Sequence, residues 1–360
     1  MARAARAEEE TIELDRLDGY PHPREAVTLF GHAEAERELL QAYRQGRMHH
    51  GWLIHGEEGI GKATLAYRLA KFVLSNPAPD SAPVQTTHDL SVSPDAGAAR
   101  QVAAQSHPDL HVVRRGLHPR TKTVQTVISV DSVREALQFF SMTAGAGGWR
   151  ILIVDAADEL NISAANALLK TLEEPPARCL LLLVAHNPGK LLPTIRSRCR
   201  RLTLTPLSPD DLERAIAQAG ATPRFNALDA PQRRQLVTLA GGSVRAALSL
   251  LDDGLLDLYR EVAALIDQAD RLDQSAVHGL AARMARQGKG DKSALLLDVI
   301  QHCLAARVQE LANRGDPRAL AKLAEVWEKT RHLAGQTETF HFDRKQVILN
   351  VFRWIEAAGR

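Results

Sequence analysis

The stretch LIHGEEGIGKATLA, residues 53–66, holds the residue types and spacing with the most chemical promise in this chain. Gly56, Gly59 and Gly61 can take backbone angles that turn several N–H groups toward one phosphate, at a helix start whose dipole favours an anion. Lys62 adds a compact positive charge for the outer phosphates. This is the spacing of a phosphate-binding loop, yet Ala63 stands where a Ser or Thr hydroxyl would ligate Mg²⁺. Thr64 follows, but one helical step turns its side chain by about 100° from that place. Phosphate binding can survive the loss, whereas metal placement suffers.

The second half of a nucleotide site is an acid at the end of a buried strand. RILIVDAADEL, residues 150–160, supplies Asp155, suited to hold a metal through water or simply to cap a turn. Ala156 occupies the place of a water-orienting Glu, and Asp158 and Glu159 fall further along, carried off by the following helix. In TIRSRCRRL, residues 194–202, Arg196, Arg198, Arg200 and Arg201 crowd one short stretch, which alone is a solvated basic turn. In GGSVRAAL, residues 241–248, Arg245 sits about one turn into a helix, either solvated or reaching across a cleft toward phosphates.

These residues need a scaffold, and the strand signals supply one. GWLIHG, DLHVV (109–113), RILIVD (150–155), LLLLVA (180–185) and RRLTL (200–204) read as strands. Helical patterns separate them at about 32–45, in KATLAYRLAKFVL, in DSVREALQFFSM with Asp131 as candidate N-cap, and in SAANALLKTLEE with Ser163 in that role. Apolar strands without alternation, interleaved with helices, indicate a parallel sheet covered on both faces. Residues 75–107 are rich in Pro, Ala and Ser without a sustained period and read as a flexible insertion. From Ser208 the texture becomes helical, opening on Ser208 as cap with Pro209 at the first helical position. The expected division is a solvated tail at 1–28, an α/β domain at 29–205, a small helical domain at 206–253 and a helical domain at 254–360.

Composition narrows the classes further. At 360 residues with a net charge of +2, the chain does not suit wrapping nucleic acid over its whole surface. Its longest clean apolar run, CLLLLVA at 179–185, is too short to span a bilayer, and no secretory signal is visible. Three cysteines, Cys179, Cys199 and Cys303, with no CxxC pair, fit a reducing cytoplasm and give no expectation of zinc.

The motifs GEEGIGKATLA, ISVDSVREALQFFSM, ILIVDAADELNISAANALLKTLEEPP, LPTIRSRCRRL and GGSVRAAL, in that order, resemble the clamp-loader branch of the AAA+ ATPases, which serves bacterial DNA polymerase III. The likeness runs from about Leu29 to Leu250, and NALLKTLEEPP followed by RSRC is its most specific part. It implies an AAA+ parallel sheet with a helical lid and an all-helical collar. The collar would close a hetero-pentamer with motor (gamma/tau) and delta subunits, and the sliding clamp and primed DNA would be met through that complex. By the same resemblance Arg198 looks like an arginine finger offered to a neighbouring subunit, and Arg245 like the lid's phosphate sensor. Asn187, in the AHNP turn at 185–188, takes the place of the first sensor.

Departures from the family pattern matter as much. Many members of that family carry a cysteine-rich zinc module ending just before a motif like SHPDL, which is kept here at 106–110 without any cysteine in the preceding insertion. Motor subunits have Ser or Thr at position 63 and Glu at 156, where this chain has alanine twice. The expectation is therefore a largely non-hydrolysing partner within a DNA-directed DNA polymerase holoenzyme. ATP or ADP would bind weakly if at all, with Mg²⁺ only alongside a nucleotide. The alternative is an autonomous AAA+ ATPase, a motor subunit or helicase-like relative.

Overall fold

The structure, a computed structural model, describes residues 16–117, 124–141, 148–251, 255–285, 292–314, 317–340 and 344–359. Five strands form one sheet: β1 (Gly51–His55), β2 (Leu110–Val113), β3 (Arg150–Asp155), β4 (Cys179–Ala185) and β5 (Arg200–Thr203). Their order is β2-β3-β4-β1-β5, and every neighbouring pair is parallel. This is the parallel sheet expected from the sequence. The order has a consequence for chemistry. β4 lies between β1, which leads into the glycine loop, and β3, which ends on Asp155, so the turn after β4 is flanked by both. Clefts at the carboxyl ends of parallel strands are where such sheets take ligands.

All seven residues of β4 are buried, because a central parallel strand is covered on both faces. The helices of the α/β part are α1 (Ala33–Arg44), α2 (Lys62–Ser75), α3 (Ala82–Thr86), α4 (Gly97–Ala103), α5 (Val130–Ser141), α6 (Ile162–Glu173) and α7 (Pro193–Arg198). Leu53, Leu152, Leu181 and Leu183 form one core cluster with Ala136 and Phe140 of α5, Leu168 of α6 and Ile195 of α7. Trp52, Ile54, Ile153 and Leu182 alternate with them and are equally buried, and α2 packs on β1, β3 and β4. Each such buried aliphatic side chain contributes about 1.5–3 kcal/mol.

Two helix starts differ from the expected caps. α6 is capped by Asn161, whose Oδ1 accepts from the Ala164 N–H at 2.8 Å, so Ser163 lies inside the first turn. Asn caps as well as Ser, and here it comes two residues earlier. α5 begins at Val130, with the Ser129 hydroxyl accepting from the Ser132 N–H at 3.3 Å, which leaves Asp131 inside the helix. Its charge there still complements the helix dipole.

Residues 75–107 are not structureless as the sequence suggested. They form α3 and α4, and Val84, Leu90, Ala99 and Val102 are fully buried or nearly so. The apolar anchors are irregularly spaced, so they leave no period to read. The expected tail also folds in its second half: Tyr20, His22 and Arg24 are buried, and Arg24 Nε donates to the Ala103 carbonyl at 2.8 Å. Residues 1–15 of that tail lie outside the described residues.

Four more helices, α8 (Pro209–Gln218), α9 (Thr222–Asn226), α10 (Ala230–Ala240) and α11 (Val244–Leu251), close the first compact unit, which ends at Ser249 within α11. As read from the sequence, Ser208 caps α8, accepting from the Asp211 N–H at 3.2 Å with Pro209 in the first turn. The second unit begins at Leu250 and is helical: α12 (Leu255–Asp267), α13 (Gln274–Ala285), α14 (Lys292–Arg314), α15 (Pro317–Phe340) and α16 (Arg344–Gly359). Within it α14 packs on α12 and α15, and α16 on α13 and α15, burying Ile300, Leu304, Ile348 and Phe352. Among the described residues no helix is long and apolar enough to cross a membrane.

Candidate functional site

The glycine loop runs from the end of β1 into α2, as its spacing requires. Gly59 and Gly61 have φ of +77° and +106°, angles open to glycine and costly for other residues. Gly61 is the N-cap of α2 and no side chain caps that helix, so its first N–H groups are left to the loop's own surroundings. His32 Nε2 lies 2.7 Å from the Ile60 carbonyl; it donates the proton there and pins the loop's far side. Burial keeps the His32 imidazole below its ordinary titration range, in keeping with a neutral donor.

Lys62 is only 3 % exposed. Its Nζ donates to the Gly56 carbonyl at 2.8 Å and to the Glu57 carbonyl, folding the charge back over the loop. Burial pulls the ammonium down to about 8, opposed by Asp155, then Glu58 and Asp158. Lys62 and Asp155 thus sense each other across the loop, and both line the same cavity.

Around them lies a cavity of about 430 Å³. The loop from Glu58 to Thr64, Asp155 and Ala156 line one end, and Arg245 of α11 reaches the same end. Thr64 therefore does face the cavity, although the helical step had turned it from the metal position; Ala63 beside it carries no oxygen at all. Tyr20, Phe30, Ala215 and Leu248 add an apolar part to the cavity lining. The size and mixture suit a small ligand with one charged and one flat apolar part.

The two acids after Ala156 are both engaged. Asp158 accepts from the His186 N–H at 3.0 Å and the Asn187 N–H at 2.9 Å, clamping the turn after β4. Glu159 pairs with Arg115 at 2.8 Å. Asn187 itself is exposed, its Oδ1 accepting from the Gly189 N–H at 3.0 Å, and it is His186 next to it that lines the cavity. His186 Nδ1 is a buried polar atom without a hydrogen-bond partner, and burial, then the nearby Lys62, lower the ring's affinity for a proton. The residue stands inside the AHNP motif, one place before the position that the family pattern singles out.

Arg245 meets the loop directly. Its Nε lies 3.2 Å from Glu58 Oε1, the Val244 N–H donates to the Gly59 carbonyl at 2.9 Å, and Ser243 Oγ donates to the Glu58 carbonyl at 2.9 Å. A Cβ on Gly59 would stand 2.3 Å from Ser243 Oγ and 2.5 Å from Arg245 Cβ. The start of α11 is thus seated on the glycine loop. Glu58 was passed over in the sequence, where its partner Arg245 lies far along the chain.

Arg198 is elsewhere. It ends α7, pairs with Glu173 of α6 at 2.7 Å, donates to the Thr194 carbonyl at 3.0 Å, and is not among the residues lining the cavity. Arg200 is tied down differently, with its guanidinium 2.8 Å from Glu38 and stacked 4.9 Å over the buried Trp52 ring. Cys179, Cys199 and Cys303 are free and buried, and burial pushes the thiols of Cys199 and Cys303 up to about 12. Thiols so held are poor metal ligands. Among the described residues no group of three His, Cys, Asp or Glu is placed to hold a metal ion.

Residues 31–208 match the family model described as DNA polymerase III, delta subunit. Among curated proteins, the chain is 34% identical over 214 residues to the DNA polymerase III subunit delta′ of Pseudomonas aeruginosa, covering 59% of each chain. It is 32% identical over 213 residues to the subunit of the same name from Escherichia coli, covering 59% of this chain and 58% of that one. The similarity extends at 27% identity over 240 residues to the subunit tau/gamma of Haemophilus influenzae, covering 67% of this chain and 32% of that protein. These matches span less than two thirds of the relatives' own lengths.

Proposed function

We propose, from the match of residues 31–208 to that family model and the similarity to delta′ and tau/gamma subunits, that this chain is a delta′-type clamp-loader subunit that turns over no nucleotide itself and lends Arg198 to a neighbouring ATPase. In this reading it joins gamma/tau and delta subunits in a cytoplasmic hetero-pentamer that loads the sliding clamp on primed DNA.

The observation that carries the proposal is the chemistry at the end of the cavity. Ala63 offers no hydroxyl to a metal, Ala156 offers no carboxylate to a water, and the next two acids are engaged by the β4 turn and by Arg115. Backbone N–H groups at the start of α2, Lys62 and the orphaned His186 Nδ1 still fit the phosphates of ATP or ADP, with Asp155 and Thr64 nearest to any Mg²⁺ that came with them. A bound nucleotide would supply an anchor between loop and lid; the residues present hold it and activate nothing. Arg198, away from its own cavity and partly exposed at 36 %, is available for a neighbour's site.

The likeness to a tau/gamma subunit keeps the second reading, an autonomous ATPase, in play. Steady-state ATP hydrolysis by the purified chain separates the two. Negligible turnover is expected, and a rate on the order of 1 s⁻¹ or faster, ordinary for an enzyme, overturns the proposal in favour of a motor.

A further inference from the structure

The cavity presents two sets of polar groups that a nucleotide would use, and the chain's own side chains take up both. Among the cavity's lining residues, the Thr28 main chain and the Gln218 carboxamide make a reciprocal pair: the Thr28 N–H donates to Gln218 Oε1 at 2.7 Å and Gln218 Nε2 donates to the Thr28 carbonyl at 2.8 Å. An acceptor set beside an amino donor is also what the edge of adenine offers. At the loop end, the Glu58 carboxylate sits on the Arg245 guanidinium, as an anionic phosphate oxygen would. Thr28, Gln218, Glu58 and Arg245 all line the cavity. Gln218 comes from α8 and Arg245 from α11, so both pairs join the lid to the α/β part.

Resting on the delta′-type reading above, we propose that this is a self-occupied nucleotide site, in which Gln218 stands in for the base edge and Glu58 for the terminal phosphate, so that the lid is latched on the core without a nucleotide. A protein in this state binds nucleotide only from the minor fraction in which the pairs are open, and its apparent affinity falls by that fraction. The latch also gives Gln218 and Glu58 a role that Ala63 and Ala156 do not: those two set turnover, these two set occupancy.

The test is calorimetric titration of the full chain with ATP and with ADP, each with Mg²⁺, for wild type, Gln218→Ala, Gln218→Glu and Glu58→Gln. Gln218→Ala should tighten both nucleotides, and Glu58→Gln should tighten ATP more than ADP, each by about tenfold. Glu58 is largely exposed, at 63 %, so Glu58→Gln keeps the fold even if losing Gln218 loosens the lid, and Gln218→Glu opens the same pair at constant size. Unchanged or weakened ATP binding in both Glu58→Gln and the Gln218 variants overturns the latch. So does tight ATP binding by wild type, at about 1 μM or below. ATP turnover measured on the same samples keeps the readings apart: turnover by wild type sinks the non-hydrolysing subunit and leaves the latch standing, whereas unchanged affinities sink the latch alone.

Discussion

Lys62 shows how one residue links stability to binding in opposite senses. Its ammonium is held by two loop carbonyls but buried, and its pKa falls from an ordinary 10.5 to about 8. Between those values the folded chain binds fewer protons than the unfolded one, so stability rises as pH goes from about 8 to 10.5, and the full cost of burying the charge applies below 8. The change is on the order of 1–3 kcal/mol. Denaturant melts across that range should show the slope, and Lys62→Met should abolish it; an identical slope in Lys62→Met assigns it to another group. Binding runs the other way, since a phosphate wants the protonated form. ATP or ADP should bind more weakly at pH 9 than at pH 7, and Lys62→Ala should weaken binding at pH 7 by roughly 1.5–3 kcal/mol, the worth of a charge-assisted hydrogen bond. An unchanged affinity in Lys62→Ala would mean that the nucleotide sits elsewhere. The loop, its lysine and Asp155 were legible because phosphate chemistry needs glycines, a cation and an acid in fixed order. Glu58 was not, since its partner Arg245 lies 187 residues away along the chain.

Elements make contacts that no single residue announces. The start of α11 rests on Gly59, where an added Cβ would collide with Ser243 and Arg245 and the φ of +77° would be strained. Gly59→Ala should therefore lower stability by about 1–3 kcal/mol through a displaced lid, seen as a lower melting temperature and faster proteolysis near Gly242. A melt that matches wild type would show that the lid start shifts freely on the loop. The segment between β1's helix and β2 makes a contrasting case. Val84, Leu90, Ala99 and Val102 hold it by apolar burial, so a chelator should leave its melt unchanged. About one zinc per chain by elemental analysis, with chelator-induced unfolding, would overturn that expectation. Strands such as CLLLLVA were readable because a doubly covered parallel strand is apolar throughout. The 75–107 segment was not, because four scattered anchors give no period, and the cap of α6 was ambiguous because Asn161 and Ser163, two residues apart, are equally good caps.

At the scale of the whole molecule, the finger proposal turns on where Arg198 is not. It lies outside its own cavity, at the end of α7, and Glu173 at 2.7 Å holds it in place while leaving it partly exposed. Glu173 belongs to the KTLEEPP run and Arg198 to RSRC, so these two stretches meet in this one ion pair. An exposed pair of this kind is worth about 0–1 kcal/mol; Arg198→Ala should fold, melt near the wild-type temperature and enter a complex with gamma/tau and delta subunits. The guanidinium is permanently charged and forked, suited to charge developing on a transferred phosphoryl group at a neighbour's site. Fingers supplied in trans contribute about 10³–10⁵ in rate at a single site, and several sites in one assembly dilute the effect. The assembled loader with Arg198→Ala should still lose most of its clamp- and DNA-stimulated ATPase and load clamps poorly. Arg200→Ala is the comparison: it gives up the Trp52 stack and the Glu38 pair, so it should cost some stability but much less activity. Should both variants sustain wild-type stimulated ATPase in the complex, Arg198 is no finger, and the basic run at 196–201 serves only to dock α7 and β5 on the core.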